Sequence, residues 1–236
     1  MYRGRIIELI KIFALKIPGE IEPEIFLKWS TKVSKERMEK VSRFFRKEDA
    51  MRSLFSELLV RAVISKEFNI PNEEIKFTYN QYGKPSLKNS KSFFFNASHS
   101  GEWVVAIFHT APIGIDVEKI RPVDIHIAER IFSDKEYQEI LRKPREEQEN
   151  YFFDLWSLKE SYVKAVGKGL FQPFHSFSIT KKNNGEIIFA CNESPCRWFF
   201  KQYNLAEGYT LSACTIQAQF PEEVTLMDLE AIEQVI

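Results

Sequence analysis

Apolar and polar positions along the chain follow two periods, near 2 and near 3.6 residues, and the switches between them mark strands and helices. Ile6-Ile7-Glu8-Leu9-Ile10-Lys11-Ile12-Phe13 is rich in β-branched residues and reads as a strand, broken by Pro18 and Pro23. A charged helical stretch over 34–47 leads to a second helix over 49–68, where Met51, Leu54, Leu58 and Val63 recur at helical spacing. Pro71 ends that region. Short strands are predicted over 75–78, 93–96 and 103–108, separated by the turn sequences Tyr82-Gly83-Lys84-Pro85 and Ser100-Gly101. A strand over 113–118 precedes helices over 125–131, 134–141 and 146–166. Strands over 177–180, 186–189, 198–203 and 209–216 close the chain.

The octets SELLVRAV at 56–63 and KESYVKAV at 159–166 share Glu, Val, Ala and Val, with Arg61 opposite Lys164. Each lies in a long helix followed by several strands. The expected fold is therefore α+β, with two similar halves over 1–112 and 113–236, each a long helix packed on a small antiparallel sheet. Ligand sites favour interfaces, so the active site is expected in the cleft between the halves.

Composition narrows the chemistry. The 236 residues carry 33 Lys+Arg against 33 Asp+Glu, and zero net charge argues against generic binding to nucleic acid or an anionic membrane. Hydrophobic stretches fall short of the ~18 apolar residues of a membrane span, and Glu8 and Lys11 interrupt any signal-peptide core. Cys191, Cys196 and Cys214 are too few for a disulfide scaffold, which places the chain in the cytoplasm. With only 9 glycines, and only Gly167 and Gly169 close together, neither a P-loop nor a dinucleotide fingerprint can be written. Any phosphate must be held by side chains and metal. The 21 phenylalanines read as core.

In Ile113-Gly114-Ile115-Asp116-Val117-Glu118 the isoleucines and valine share one face, and Gly114, Asp116 and Glu118 the other. Two acids at i and i+2 repel unless a cation or base lies between them, and their oxygens suit Mg²⁺. Gly114 is expected to leave space beside them for a ligand. A solvated edge-strand face is the alternative. On the helix over 146–166, Leu155, Leu158, Tyr162 and Val166 form an apolar stripe, with Glu160 and Lys164 together on its flank at i, i+4. Lys159 projects near the middle of that stripe, which is unfavourable unless it meets an anion or snorkels out. A third carboxylate and two ammoniums beside Asp116 and Glu118 would suit a magnesium-bound pyrophosphate. Arg37, Lys40, Arg43, Arg46 and Lys47 taken alone are an ordinary solvated helix face, and His99 alone is a structural histidine. No histidine has metal-ligand spacing to another His or Cys, and no G-x-S-x-G elbow exists.

The combination is more specific than its parts. Ile-Gly-Ile-Asp-Val-Glu at 113–118, Trp-Ser-Leu-Lys-Glu-Ser-Tyr-Val-Lys at 156–164, Phe-Asn-Ala-Ser-His-Ser-Gly at 95–101 and Tyr-Gly-Lys-Pro at 82–85 resemble the surfactin-synthetase-type 4′-phosphopantetheinyl transferases in order and approximate spacing. The resemblance covers most of the chain, and the first two motifs match the family pattern without departure. It implies transfer of the phosphopantetheine arm of coenzyme A to a serine of an apo acyl or peptidyl carrier protein, releasing adenosine 3′,5′-bisphosphate. It implies a pseudo-dimer of two α+β halves in one chain, with coenzyme A in the cleft. Asp116, Glu118 and Glu160 match the family's Mg²⁺ ligands. Glu160 also matches the residue proposed to deprotonate the serine, and Lys164 the lysine that stabilises or protonates the leaving phosphate. Arg37, Lys40 and His99 fall where the family grips the 3′-phosphate, Arg37 standing where the best-known members carry lysine. Ser98 and Lys84, with Arg52 and Pro85, fall near the adenosine diphosphate half.

By the same resemblance, carrier proteins dock on residues 120–141, from Ile120 through Phe132 to Leu141, with Ile127 and Phe132 as exposed-looking apolar positions and Phe132 the expected anchor. Core packing is the equal alternative for Phe132. Such carriers are acidic helical bundles, and local basic residues would steer them. A two-halved chain is expected to work as a monomer. Two other functions keep part of the pattern: a Mg²⁺-dependent nucleotide pyrophosphate hydrolase, and a carrier-binding module without turnover.

Overall fold

The computed structural model describes residues 9–90, 92–182, 184–191 and 196–236. The first half contains β1 (Lys11–Lys16), α1 (Pro23–Ser30), α2 (Lys35–Val41), α3 (Lys47–Phe68), β2 (Phe77–Tyr79), β3 (Pro85–Leu87), β4 (Phe94–Ser100) and β5 (Trp103–His109). The second opens with β6 (Ile113–Lys119) and continues through α4 (Ala128–Ile131), α5 (Asp134–Leu141), α6 (Arg145–Val166), β7 (Ser178–Lys181), β8 (Ile187–Ala190), β9 (Phe199–Tyr203) and β10 (Tyr209–Thr215). A tail adds β11 (Thr225–Met227) and α7 (Leu229–Glu233).

The halves repeat one topology. The first sheet runs β1-β5-β4 and the second β6-β10-β9, all antiparallel, so the strand before each long helix pairs with the last strand of its half. Each half also has a two-stranded hairpin, β2-β3 and β7-β8, directly after its long helix. α3 and α6 are both 22 residues long, and the two related octets lie inside them.

Packing follows the alternation along the strands. Phe13, Leu15, Val104 and Phe108 face α3 through Leu54, Leu58 and Leu59. Their neighbours Ile12, Ala14, Val105 and Ile107 meet Ile113, Ile115, Val117, Leu211 and Ala213 of the second sheet, so the two sheets share a core. α6 covers the far side of that second sheet, with Leu155, Leu158 and Tyr162 in a cluster containing Cys214.

Several elements differ from expectation. The first strand starts at Lys11 rather than Ile6, and residues 6–8 lie outside the described residues. Pro23 begins a helix instead of only ending a strand, because proline's missing N–H costs nothing in a first helical turn. The single helix expected over 34–47 is short. Ser34 caps α2 by accepting from the Arg37 amide, and at the other end the Ser42 hydroxyl donates to the Glu39 carbonyl, where the helix stops. The tail crosses back to the first half: β11 pairs parallel with β1, and Ile232 of α7 is fully buried in the α3 core. Among the described residues no helix is long and apolar enough to cross a membrane.

Candidate active site

β4 and β6 are sheet edges, one from each half, and side chains stitch them together. Asn96 Oδ1 accepts from the Ile115 amide at 2.9 Å, the Ser98 hydroxyl donates to Asp116 at 2.9 Å, and the Ser100 hydroxyl donates to Glu118 at 2.9 Å. Alternation along β6 puts Ile113, Ile115 and Val117 into the inter-sheet core at 0% exposure and turns Gly114, Asp116 and Glu118 toward α6, as the hexapeptide predicted.

Asp116 is the centre of the junction. Its Oδ1 accepts from Lys164 Nζ at 2.5 Å as well as from Ser98, and Lys164 Nζ is itself 2.8 Å from Ser98 Oγ. Asp116 Oδ2 is buried with no hydrogen-bond partner among the described residues. Burial opposes charge on Lys164, but Asp116 and Glu160 outweigh it and hold the ammonium above its ordinary pKa. Glu118 is pushed up to about 7, first by burial and then by Asp116, against the Ser100 hydrogen bond. Burial also raises Glu160, with Lys164 opposing and Asp116 adding to the shift. As they stand, no three His, Cys, Asp or Glu side chains among the described residues are placed to hold a metal ion together. The ammonium of Lys164 occupies Asp116 instead.

Cations line the first-half side. His99 is exposed at one side, yet the protein packed around it and the like charges of Lys164, Arg52 and Arg37 disfavour its charged form and hold its pKa down to about 4. Arg37 is anchored by Nε to Glu57 at 2.9 Å and by Nη1 to Ser53 at 3.0 Å. Lys40 has its pKa lowered by burial and by Arg37. Arg52 bonds Asp49 and the Gly101 carbonyl, the latter at 3.2 Å. The buried Glu57, which also pairs with Arg61, is the support that the pattern of basic residues does not reveal; it lies on α3, nearly three turns after Lys47.

The fold changes or decides four sequence expectations. Lys159 does not face the carboxylates: it is fully buried on the opposite side of α6, pairs with Glu136 at 2.9 Å and donates to the Phe174 and Phe177 carbonyls at 2.7 Å each. Of the two ways open to it, an anion or an exit to solvent, Lys159 takes the anion, a carboxylate on α5. The space beside Gly114 is taken by α6 itself, since a Cβ there would stand 2.0 Å from the Ser161 carbonyl oxygen. Lys84 turns its ammonium into the protein, donating to the carbonyls of Ile113, Lys164 and Ala165, and burial lowers its pKa to about 8. That leaves it capping the end of α6 rather than offering charge to a phosphate. Phe132, for which an exposed anchor and core packing are equal expectations, takes the core position: it is 3% exposed and packs on Phe152, Trp156 and Phe174, whereas Ile127 is 46% exposed.

Two α+β halves meet at a buried carboxylate–lysine junction beside Arg37, Lys40, Arg52 and His99, an arrangement of charges suited to holding phosphate. Two family profiles match: "4′-phosphopantetheinyl transferase superfamily" over 112–214 and "4′-phosphopantetheinyl transferase, N-terminal" over 22–110. The 4′-phosphopantetheinyl transferases ffp of Bacillus subtilis and Sfp of B. subtilis strain 168 are 39% and 38% identical over 223 residues, covering 94% of this chain and 100% of each relative. The 4′-phosphopantetheinyl transferase gsp of Aneurinibacillus migulanus is 40% identical, over 88% of this chain and 86% of its own. The chain belongs to the 4′-phosphopantetheinyl transferase family.

Proposed function

We propose that this transferase moves the phosphopantetheine arm of coenzyme A to a serine of an apo carrier protein, with adenosine 3′,5′-bisphosphate as the leaving group. The observation that carries the reading is the Asp116–Lys164–Ser98 junction, which brings acid, ammonium and hydroxyl from strand, helix and opposite half to one buried point. The serine oxygen bonds to the phosphorus that carries pantetheine, and the bond from that phosphorus to the bridging pyrophosphate oxygen breaks. Glu160 takes the serine proton; burial raises its pKa toward working pH, which improves a general base. Lys164 donates to the phosphate on which charge grows, and Ser98 holds Lys164 there. Arg37, Lys40 and His99 grip the 3′-phosphate, and Arg52, Pro85 and the backbone of Lys84 flank the adenosine half.

The donor chemistry fits Mg²⁺. Asp116 and Glu118 on one strand face, an unpartnered Asp116 Oδ2, and Glu160 nearby match an ion that takes one or two carboxylates plus substrate phosphate. When bound there, Mg²⁺ would neutralise pyrophosphate charge. The carrier docks on 120–141, where Ile127 and Leu141 are exposed apolar positions. We further propose a cytoplasmic monomer, with the halves divided at 112/113 and the tail completing the first.

The test is intact-mass spectrometry of apo carrier proteins incubated with the protein, coenzyme A and Mg²⁺, with an EDTA control. A gain of one phosphopantetheine arm only with metal supports the reading. Asp116→Ala should abolish the gain while coenzyme A still binds weakly. No gain on fatty-acid, polyketide or peptide carriers, with coenzyme A cleaved by water instead, overturns it.

A further inference from the structure

The helix-facing side of the second sheet is polar where a core is expected. Ser212 lies directly across the ladder from Asp116, and Thr210 directly across from Glu118, so both share the face that carries the carboxylates. Ser157 of α6 reaches down between them: its hydroxyl is 2.7 Å from Ser212 Oγ and 3.3 Å from Thr210 Oγ1. Ser157 and Ser212 are fully buried and Thr210 is 5% exposed. The Thr210 hydroxyl donates to Asp154 Oδ1 at 2.9 Å, one turn earlier on α6. Gln202 of β9 stands 3.3 Å from both Asp154 Oδ1 and Ser212 Oγ, and Lys181 of β7 pairs with Asp154 Oδ2 at 2.5 Å.

These bonds connect two elements that must be held in register. α6 carries Glu160 and Lys164; β6 carries Asp116 and Glu118. Apolar packing alone tolerates small slides of a helix over a sheet, whereas directional hydroxyl bonds do not. Gly114 lets the helix approach, and the hydroxyl layer fixes where along the strand it sits. We infer that Thr210, Ser212 and Ser157, held by Asp154 and Gln202, are positioning residues for the transfer reaction: they set the separation of Lys164 and Glu160 from Asp116 and Glu118. The inference rests on the proposed catalytic role of that site.

Thr210→Val keeps the shape and removes the hydroxyl that bonds Asp154. The expected result is a kcat about 10- to 100-fold lower, as for a small misplacement of reacting groups, with the KM for coenzyme A within about twofold and the Mg²⁺ concentration for half-maximal rate increased. Thr210→Ser, which restores the hydroxyl, should recover kcat. An unchanged kcat in Thr210→Val overturns the inference. So does a loss of kcat that merely tracks a fall in thermal midpoint, or that Thr210→Ser fails to recover. If Thr210→Val does not fold, Ser212→Ala, which removes the Ser157-bonded hydroxyl without putting a methyl in its place, is read by the same criteria. Should the wild-type protein transfer nothing, the functional reading fails first, and amide exchange decides the positioning separately. Faster exchange confined to 154–164 in the variant supports it; unchanged or uniformly faster exchange overturns it.

Discussion

His99 shows how a single side chain becomes a pH-dependent binder. Its pKa is held down to about 4 by the protein packed around it and by Lys164, Arg52 and Arg37, so it is neutral in the free protein at pH 7. A dianionic 3′-phosphate set among those cations would offset their repulsion and raise the imidazole pKa. Binding of coenzyme A would then take up a proton, and affinity should fall as pH rises through the pKa of the complex. Isothermal titration between pH 5 and 8 should show a steeper slope in the wild type than in His99→Asn, which keeps only the titration of the phosphate and of Glu118; parallel profiles would remove His99 from the phosphate site. Stability carries the opposite sign. The unfolded chain protonates His99 near 6.5 while the folded protein resists until about 4, so acidification across that window favours unfolding. The contrast with Lys159 and Lys84 marks what could be read from sequence. Asp116, Glu118, Glu160 and Lys164 follow from alternation along a strand and i, i+4 spacing on a helix, both local rules. The fate of Lys159 depended on Glu136, and that of Lys84 on carbonyls at 113, 164 and 165, partners that only the tertiary fold supplies.

Between elements, the decisive contact is α6 against β6. At Gly114 an added Cβ would meet the Ser161 carbonyl oxygen at 2.0 Å and the Ala165 amide nitrogen at 2.5 Å, both rigid backbone. Gly114→Ala should therefore push the helix away, costing about 1–3 kcal/mol or more by overpacking and misplacing Lys164. Denaturant melts and steady-state rates check it: an undiminished midpoint together with full activity would mean that the helix can shift without consequence. The docking segment gives a second expectation. Ile127→Asp should raise the KM for an acidic carrier protein while leaving that for coenzyme A unchanged, because it adds like charge to an exposed apolar position. Equal changes in both KM values would point to a folding defect instead. Element boundaries were legible where chemistry punctuates the chain. α5 starts at Asp134 as expected, directly after the N-cap Ser133, which forms a capping box with Glu136. α1 is not legible because proline breaks elements as readily as it opens a helix, and β11 because three residues carry too little pattern to show a period.

The faint octet repeat is matched at the largest scale by two sheets of the same strand order, each with a long helix and a hairpin inserted after its first strand. What no repeat could predict is the tail, which has no counterpart between the halves and closes the first sheet from the far end of the chain. β11 covers the β1 edge, Ile232 fills the α3 core, Ser65 donates to the Val235 carbonyl at 2.9 Å, and Lys28 pairs with Glu233. Removing residues 225–236 exposes a strand edge and leaves the Ile232 cavity, so a loss of about 2–5 kcal/mol is expected from the buried side chain alone. The shared inter-sheet core determines how far that damage spreads. Ile12, Ala14, Val105 and Ile107 of one half pack on Ile113, Ile115, Leu211 and Ala213 of the other, and all are buried. Neither half can lose its sheet without exposing the other's inner face. Variants retaining only Trp29, in the first core, or only Trp198, packed on the second, should thus report one common denaturation midpoint. Truncation should lower both midpoints together. A truncated chain in which Trp29 melts early while Trp198 keeps its midpoint would show two independent domains, and the junction at Asp116 would then join two separately folding domains.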